Sequence, residues 1–199
     1  MTLAERLSAG ETVFTAWSAL PDALVAEALA ATDMDAVTLD MQHGGHHEDS
    51  VLRSLAPIIA AGKPGLVRIP VGRFDMASRA LDFGADAVIA PMVNSLEDAR
   101  AFATAMKYPP LGQRSWGPSF AMPRRGNTNA GDWLQRENHR TLAFAMIETR
   151  EALAIVDDIL AVPGIDGVFV GPSDFSIAWT NGQKMDPALE DMMDAIAHI

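Results

Sequence analysis

Six short apolar runs, at residues 13–17, 36–39, 66–69, 87–90, 142–147 and 167–170, constrain this chain more than any other feature. Each is hydrophobic or β-branched almost throughout. A strand with one wet face alternates apolar and polar residues, whereas a strand covered on both faces does not. The runs therefore read as parallel strands buried on both sides. The intervals between them are long enough for helical crossovers, and strand–helix–strand repetition predicts an α/β architecture with right-handed connections.

Local signals support the helices. Asn94-Ser-Leu-Glu97 reads as a capping box, with Leu96, Ala99, Ala103 and Met106 following at helical spacing until YPP at 108–110 stops the helix. A second helix is predicted over 151–160, with Leu153, Val156, Ile159 and Leu160 on one face. Gly84 and Gly164 stand where left-handed caps are needed. One interval breaks the rhythm. Residues 111–140 are rich in Gly, Pro, Arg and Trp and carry no clear strand. A connection of that length is expected to be a substrate lid, an ordered cover or a subunit contact.

The polar residues have a common place. The second run leads into Asp40, Gln42 and His43; the third carries Arg68; the fifth ends in Glu148; the sixth runs into Gly171, Pro172, Ser173 and Asp174. In parallel α/β folds the ligand site forms at the carboxyl edge of the sheet, so these distant residues are expected to converge. Singly, each has a plainer reading: Asp174 as a helix cap, Arg68 as an ion pair at the edge of the core. Two carboxylates, Glu148 and Asp174, suit a hard divalent cation such as Mg²⁺ or Mn²⁺, which takes its other ligands from water and substrate.

The segment TLDMQHGGHHEDS, residues 38–50, could instead suggest a zinc cage. The flexible Gly44-Gly45 turn does not force three imidazoles together, so His43 is the candidate base, within reach of Asp40. His46 and His47 read as loop or helix-start residues.

Composition removes several other chemistries. There are no cysteines, hence no disulfide, thiolate metal site or Cys nucleophile, as is compatible with a cytoplasmic protein. The net charge of −11 makes nucleic acid and anionic membranes poor partners. The first residues, MTLAERLSAGETVF, lack the pattern of a signal peptide, and no apolar run approaches the roughly 18–20 residues of a membrane span. Of the three lysines, Lys63, Lys107 and Lys184, none stands at the carboxyl end of a strand where a Schiff base would form.

The segments VTLDMQHG, VRIP, LDFGADAVIAPMV, YPPLGQRSWG, IETREAL and GIDGVFVGPSDFS occur in the order and spacing of a known family. Across essentially its whole length the chain resembles the HpcH/HpaI aldolases, metal-dependent pyruvate aldolases of the phosphoenolpyruvate/pyruvate TIM-barrel superfamily. The resemblance implies a (β/α)₈ barrel that binds Mg²⁺, Mn²⁺ or a similar ion such as Co²⁺. It also implies cleavage of 4-hydroxy-2-oxo acids to pyruvate and an aldehyde, the reverse addition, and assembly as a homo-oligomer, a hexamer in the family. Carried over, Glu148 and Asp174 hold the metal, His43 is the base, and Arg68 stabilises the enolate. The backbone of Gly171–Asp174 grips the carboxylate, and Asp82 is the acid that raises the base's pKa. Asp82 sits near a helix end, which in a barrel faces away from the site, so its action on His43 requires irregular structure or a neighbouring subunit.

Three departures stand out. Gln42 replaces a common Glu, Met146 replaces a substrate-binding Gln, and only six βα units are present, the chain stopping at DMMDAIAHI in a sixth helix. The first two predict altered substrate preference or hydrogen bonding with the chemistry kept. The third predicts two unpaired sheet edges, and the expectation is one incomplete barrel domain over residues 1–199. Two alternatives remain: an acyl-CoA lyase of the citrate lyase branch, and a truncated homologue acting only as a binding subunit.

Overall fold

The computed structural model describes residues 1–197 and 199. Six strands, β1 (Thr15–Ser18), β2 (Ala36–Asp40), β3 (Gly65–Arg68), β4 (Ala87–Ala90), β5 (Leu142–Ile147) and β6 (Gly167–Val170), form one sheet in the order β1-β2-β3-β4-β5-β6. Every adjacent pair is parallel. An unbroken sequential order keeps the crossovers on one side of the sheet, unlike the order reversal of a doubly wound fold. The result is a curled half-barrel. Its curvature brings the Trp17 ring of β1 to 6.0 Å from the Phe169 ring of β6.

The helices are α1 (Leu3–Ser8), α2 (Ala23–Ala30), α3 (Glu48–Ala60), α4 (Asp75–Phe83), α5 (Leu96–Met106), α6 (Ala121–Arg124), α7 (Ala130–Arg140), α8 (Arg150–Ala154), α9 (Val156–Leu160), α10 (Pro172–Trp179) and α11 (Glu190–Ile196). The expectation that the last helix includes position 198 falls outside the described residues.

Side chains alternate across each strand, and both faces are apolar, which is why the runs read as continuous. Val37, Leu39, Val67, Val88, Ala143, Ala145 and Ile147 face the helices and pack with Leu55, Ile58, Leu81 and Phe102. Ala36, Leu66, Ala87, Ile89, Leu142 and Met146 line the concave face, where Leu3 of α1 joins them. Burial falls off at the sheet's end: β4 is buried throughout, whereas every residue of β6 is half-buried.

Several local expectations shift. The α5 cap is Ser95, whose Oγ accepts from Asp98 N–H at 3.1 Å. Asn94 instead accepts the Thr149 hydroxyl at 2.8 Å. The helix expected over 151–160 is two short ones, interrupted at Ile155 (φ −122°, ψ 20°), and Leu160 is exposed. Gly84 (φ 113°) and Gly164 (φ 97°) do adopt the left-handed conformation.

The 111–140 interval is largely ordered. It forms α6 and α7, and Tyr108, Ala121 and Trp133 bury together. Arg125 and Arg140 each reach Asp86, just before β4, at 2.6 Å. Buried Lys107 donates to Asn138 O, Thr141 O and Asp166 Oδ2 at 2.7–2.9 Å, all three ammonium protons satisfied. The interval is thus a cover tied to the amino end of the sheet, away from the carboxyl edge where a lid would have to close.

Candidate active site at the carboxyl edge

The strand register places the polar residues. Asp40 pairs with Arg68 across β2 and β3, and both project from the concave side, in step with Ala36 and Leu66. Arg68 grips Asp40 in a two-pronged contact, Nε to Oδ1 at 2.9 Å and Nη2 to Oδ2 at 2.6 Å. The Trp17 ring lies 4.9 Å from the Arg68 guanidinium carbon, and its indole N–H reaches Asp40 Oδ2 at 3.3 Å.

Burial alone would push the Asp40 pKa up. The Arg68 hydrogen bonds, the N–H groups of His43 and Gln42 and the Trp17 indole overcome it, and the carboxyl is held at about 2. Asp40 is therefore a fixed anion that orients Arg68 and the following turn. It holds the backbone of His43 (3.3 Å) and makes no bond to the imidazole.

Glu148 follows β5 and is 1 % exposed. Its Oε2 accepts the Met92 N–H at 2.8 Å, while Oε1 is buried with no hydrogen-bond partner among the described residues. Burial raises its pKa; Met92 N–H opposes that, the Asp174 charge adds to it, and the charges of Arg68 and His43 oppose it. Asp174, Arg68 and His43, all singled out in the sequence, thus each lie within electrostatic reach of Glu148.

Gly171 caps α10, and a Cβ there would stand 2.5 Å from Glu148 Oε1. Asp174 sits in the first turn of α10, which has no side-chain cap, so the plainer reading of Asp174 as a capping residue does not hold. Pro172 has no N–H, and the Gly171 N–H is engaged by Ile147 O at 3.3 Å. The N–H groups of Ser173 and Asp174 are the ones α10 has left to offer an anion.

Gln42 is half-buried, with Oε1 unpartnered, and Met146 is buried on the concave face. His43 is exposed. Asp82 is not brought to it within the chain: near the carboxyl end of α4, Asp82 Oδ1 accepts from buried Arg114 at 2.8 Å. His46 and His47 do not join His43 in a cage, and among the described residues no group of three or more His, Asp or Glu is placed to hold a metal. His47 caps α3, and His46 is bonded between Ser18 and Ser50.

Two contributors escaped the sequence reading. Trp17 carries a signal, a large aromatic at the end of the first run. Met92 carries none: its role is a backbone N–H presented from a left-handed conformation (φ 55°) that side chains such as Met rarely adopt.

Does this donor set fit a metal ion? A buried carboxylate oxygen without a partner forfeits roughly 1–3 kcal/mol or more, and a second carboxylate close enough to repel it adds to that penalty. A hard cation relieves both. Two carboxylates with no thiolate or paired imidazole is the donor chemistry of Mg²⁺ or Mn²⁺. The residues fit.

A curled half-barrel of parallel strands with charged groups at its carboxyl edge is the arrangement in which α/β-barrel enzymes place their sites. Residues 14–199 match the model of the HpcH/HpaI aldolase/citrate lyase family, and the chain belongs to that family; it is a lyase. It is 40 % identical to the hydroxypyruvate/pyruvate aldolase of Rhizorhabdus wittichii, over 96 % of this chain and 74 % of the relative. It is 32 % identical to the 4-hydroxy-2-oxo-heptane-1,7-dioate aldolase of Klebsiella pneumoniae, over 96 % of this chain and 74 % of the relative. The crystal structure of an HpcH/HpaI aldolase from Desulfitobacterium hafniense DCB-2 superposes with a TM-score of 0.87 at 30 % identity, covering all of this chain and 77 % of that one. Among the described residues no helix is long and apolar enough to cross a membrane.

Proposed function

We propose that the protein is a divalent-metal-dependent aldolase. It cleaves 4-hydroxy-2-oxo acids to a 2-oxo acid and an aldehyde and catalyses the reverse addition. The observation that carries this reading is the orphaned Oε1 of Glu148, buried beside Gly171 and within reach of the charge of Asp174. The names of the two relatives support pyruvate, with hydroxypyruvate as an alternative donor.

Glu148 and Asp174 would hold the cation, Mg²⁺ or Mn²⁺, which supplies Lewis-acid stabilisation of negative charge developing on the keto oxygen. The chain's own groups do the rest. The free N–H groups of Ser173 and Asp174 bind the substrate carboxylate at the start of α10. Arg68, with Nε and one Nη occupied by Asp40, keeps its other Nη for the keto oxygen as charge grows there. His43 takes the C4 hydroxyl proton as the C3–C4 bond breaks. The bonding pair passes into the 2-oxo acid fragment, the aldehyde leaves, and a proton is delivered to C3. Asp82, bonded to Arg114 at the far end of its own barrel, acts on a base only across a subunit interface. Gln42, just after β2, and Met146, on the concave face of β5, would tune the acceptor.

The test is release of pyruvate or hydroxypyruvate from a panel of 4-hydroxy-2-oxo acids, with and without EDTA, followed by readdition of Mg²⁺ or Mn²⁺. Cleavage that is abolished by EDTA and restored by either ion is expected. Cleavage indifferent to EDTA overturns the metal, and no cleavage across the panel overturns the aldolase.

A further inference from the structure

His43 is exposed, and its ring makes no hydrogen bond among the described residues. Whatever fixes the backbone of residues 41–47 therefore fixes the ring's place. At the start of that loop the Asp40 carboxylate holds the N–H groups of Gln42 (3.0 Å) and His43 (3.3 Å). Gly44 passes so close to the Asp40 carbonyl that a side chain there would collide with it. Gly45 N–H donates to Ala19 O at 2.8 Å. Beyond that backbone bond neither glycine has a side chain to anchor, so the first side-chain anchor at the far end of the loop is the next residue.

That residue is His46, only 4 % exposed. Its Nε2 lies 3.0 Å from Ser18 Oγ at the end of β1, and its Nδ1 lies 3.1 Å from Ser50 Oγ in the first turn of α3. The protons can be assigned. Ser50 donates its single hydroxyl proton to His47 O at 2.9 Å, and its oxygen accepts His47 N–H at 2.9 Å. Only a lone pair remains for His46, so the ring carries its proton on Nδ1 and Nε2 is left to accept the Ser18 hydroxyl, for which it is a nearer acceptor at 3.0 Å than Leu20 O at 3.3 Å. Burial pushes the His46 pKa down, which favours this neutral form. Both ring nitrogens are then satisfied, and the imidazole ties β1 to α3 across the loop.

We propose that His46 is a positioning residue: clamped between Ser18 and Ser50, it holds the 41–47 loop so that the otherwise unsupported His43 ring faces the reacting substrate. This rests on His43 as the base. A histidine that merely stabilised the core would have the same contacts, so the test must read its action through His43.

The clamp is opened by His46→Phe, which keeps a ring and removes both hydrogen bonds, and separately by Ser18→Ala and Ser50→Ala. Misplacement by about 1 Å can lower turnover by about 10²-fold. We expect a loss of that order in kcat, with KM and metal affinity held within about twofold. In a His43→Ala background the same substitutions should cause no further loss, because the group they position is gone. Equal losses in both backgrounds, or an unchanged kcat, overturn the clamp. Should His46→Phe fail to fold, the two serine variants carry the same measurement.

Backbone order parameters of residues 42–45 give a second readout independent of turnover. They are expected to fall from about 0.85 to below about 0.6 when the clamp opens, and unchanged values overturn it. A wild-type chain that cleaves no 2-oxo acid sinks the aldolase reading alone, since the order parameters still judge the clamp.

Discussion

Replacing Asp40 with Asn removes one charge and almost no volume, which isolates what that charge does. The carboxyl is 3 % exposed and titrates at about 2. Against about 3.9 in an unfolded chain, that gap amounts to about 2.5 kcal/mol of stability at neutral pH. Removing one partner of a buried pair also strands Arg68, and such truncations cost about 3–5 kcal/mol. Arg68 retains the Trp17 face and is 13 % exposed, so the lower figure is the better expectation. For a chain of this size each kcal/mol shifts Tm by about 2–4 °C, so Asp40→Asn should melt about 5–10 °C lower at pH 7. The pH dependence fixes the cause. A depressed carboxylate pKa contributes stability above the unfolded value and loses it as pH falls through the folded one. The gap between wild type and variant should therefore hold at pH 6–7, shrink by about half near pH 3, and close toward pH 2. Urea melts across that range measure it. A gap that stays constant down to pH 3 would show that shape and hydrogen-bond geometry, and not charge, account for the difference.

Other outcomes follow from the same geometry. Glu148→Gln should raise Tm in EDTA, because burial and Asp174 disfavour the Glu148 anion; it should also abolish metal-induced stabilisation and turnover, as thermal melts with and without Mn²⁺ would show. The sign is opposite to that of Asp40: a carboxylate with a raised folded pKa destabilises the metal-free protein at higher pH, so the benefit of Glu148→Gln should fade as pH falls through the carboxylate range. His43→Ala should lower kcat by about 10²–10⁴-fold and leave Mn²⁺ affinity by calorimetry unchanged; full activity would remove it as the base. Gly171→Ala places a carbon 2.5 Å from Glu148 Oε1 and should cost about 1–3 kcal/mol in a urea melt and weaken metal binding more than Ser173→Ala does.

The strands were legible because burial on both faces leaves an uninterrupted apolar signature, and the ends of those runs located Asp40, Arg68, Glu148 and Gly171. Boundaries slid where signals were degenerate. Asn94 and Ser95 are both capping residues, each with an acid three positions on, and nothing local chooses between them. The Thr149 hydroxyl, 55 residues away, settles the tie by engaging Asn94. Helix α7 was hidden for a different reason: among its residues only Trp133 and Glu137 are buried, too few to set up an apolar period. The Met92 N–H and the Ser18–His46–Ser50 tie were invisible because each depends on backbone conformation or on partners that only the fold brings together.

The two ends of the sheet differ in what they leave unsatisfied. Before β4, Asp86 accepts Gly65 N–H, Arg125 and Arg140, and Lys107 places all its protons on oxygen. The buried nitrogens without partners, on Arg114, Arg125 and Trp133, also belong to this end and to the segment that covers it. At the carboxyl edge the unpartnered atoms are oxygens that can only accept, Glu148 Oε1 and Gln42 Oε1, beside a Met held at positive φ. A surplus of donors beside carboxylates can be resolved within the protein by small rotations or by water. A carboxylate oxygen held beside a second carboxylate is relieved by a proton or a donor, and a bound cation, as proposed above, would relieve both charges at once. Strain that a purely structural edge would have shed persists at the carboxyl edge of the sheet, so stabilising substitutions belong at the amino end, where they leave the candidate site untouched.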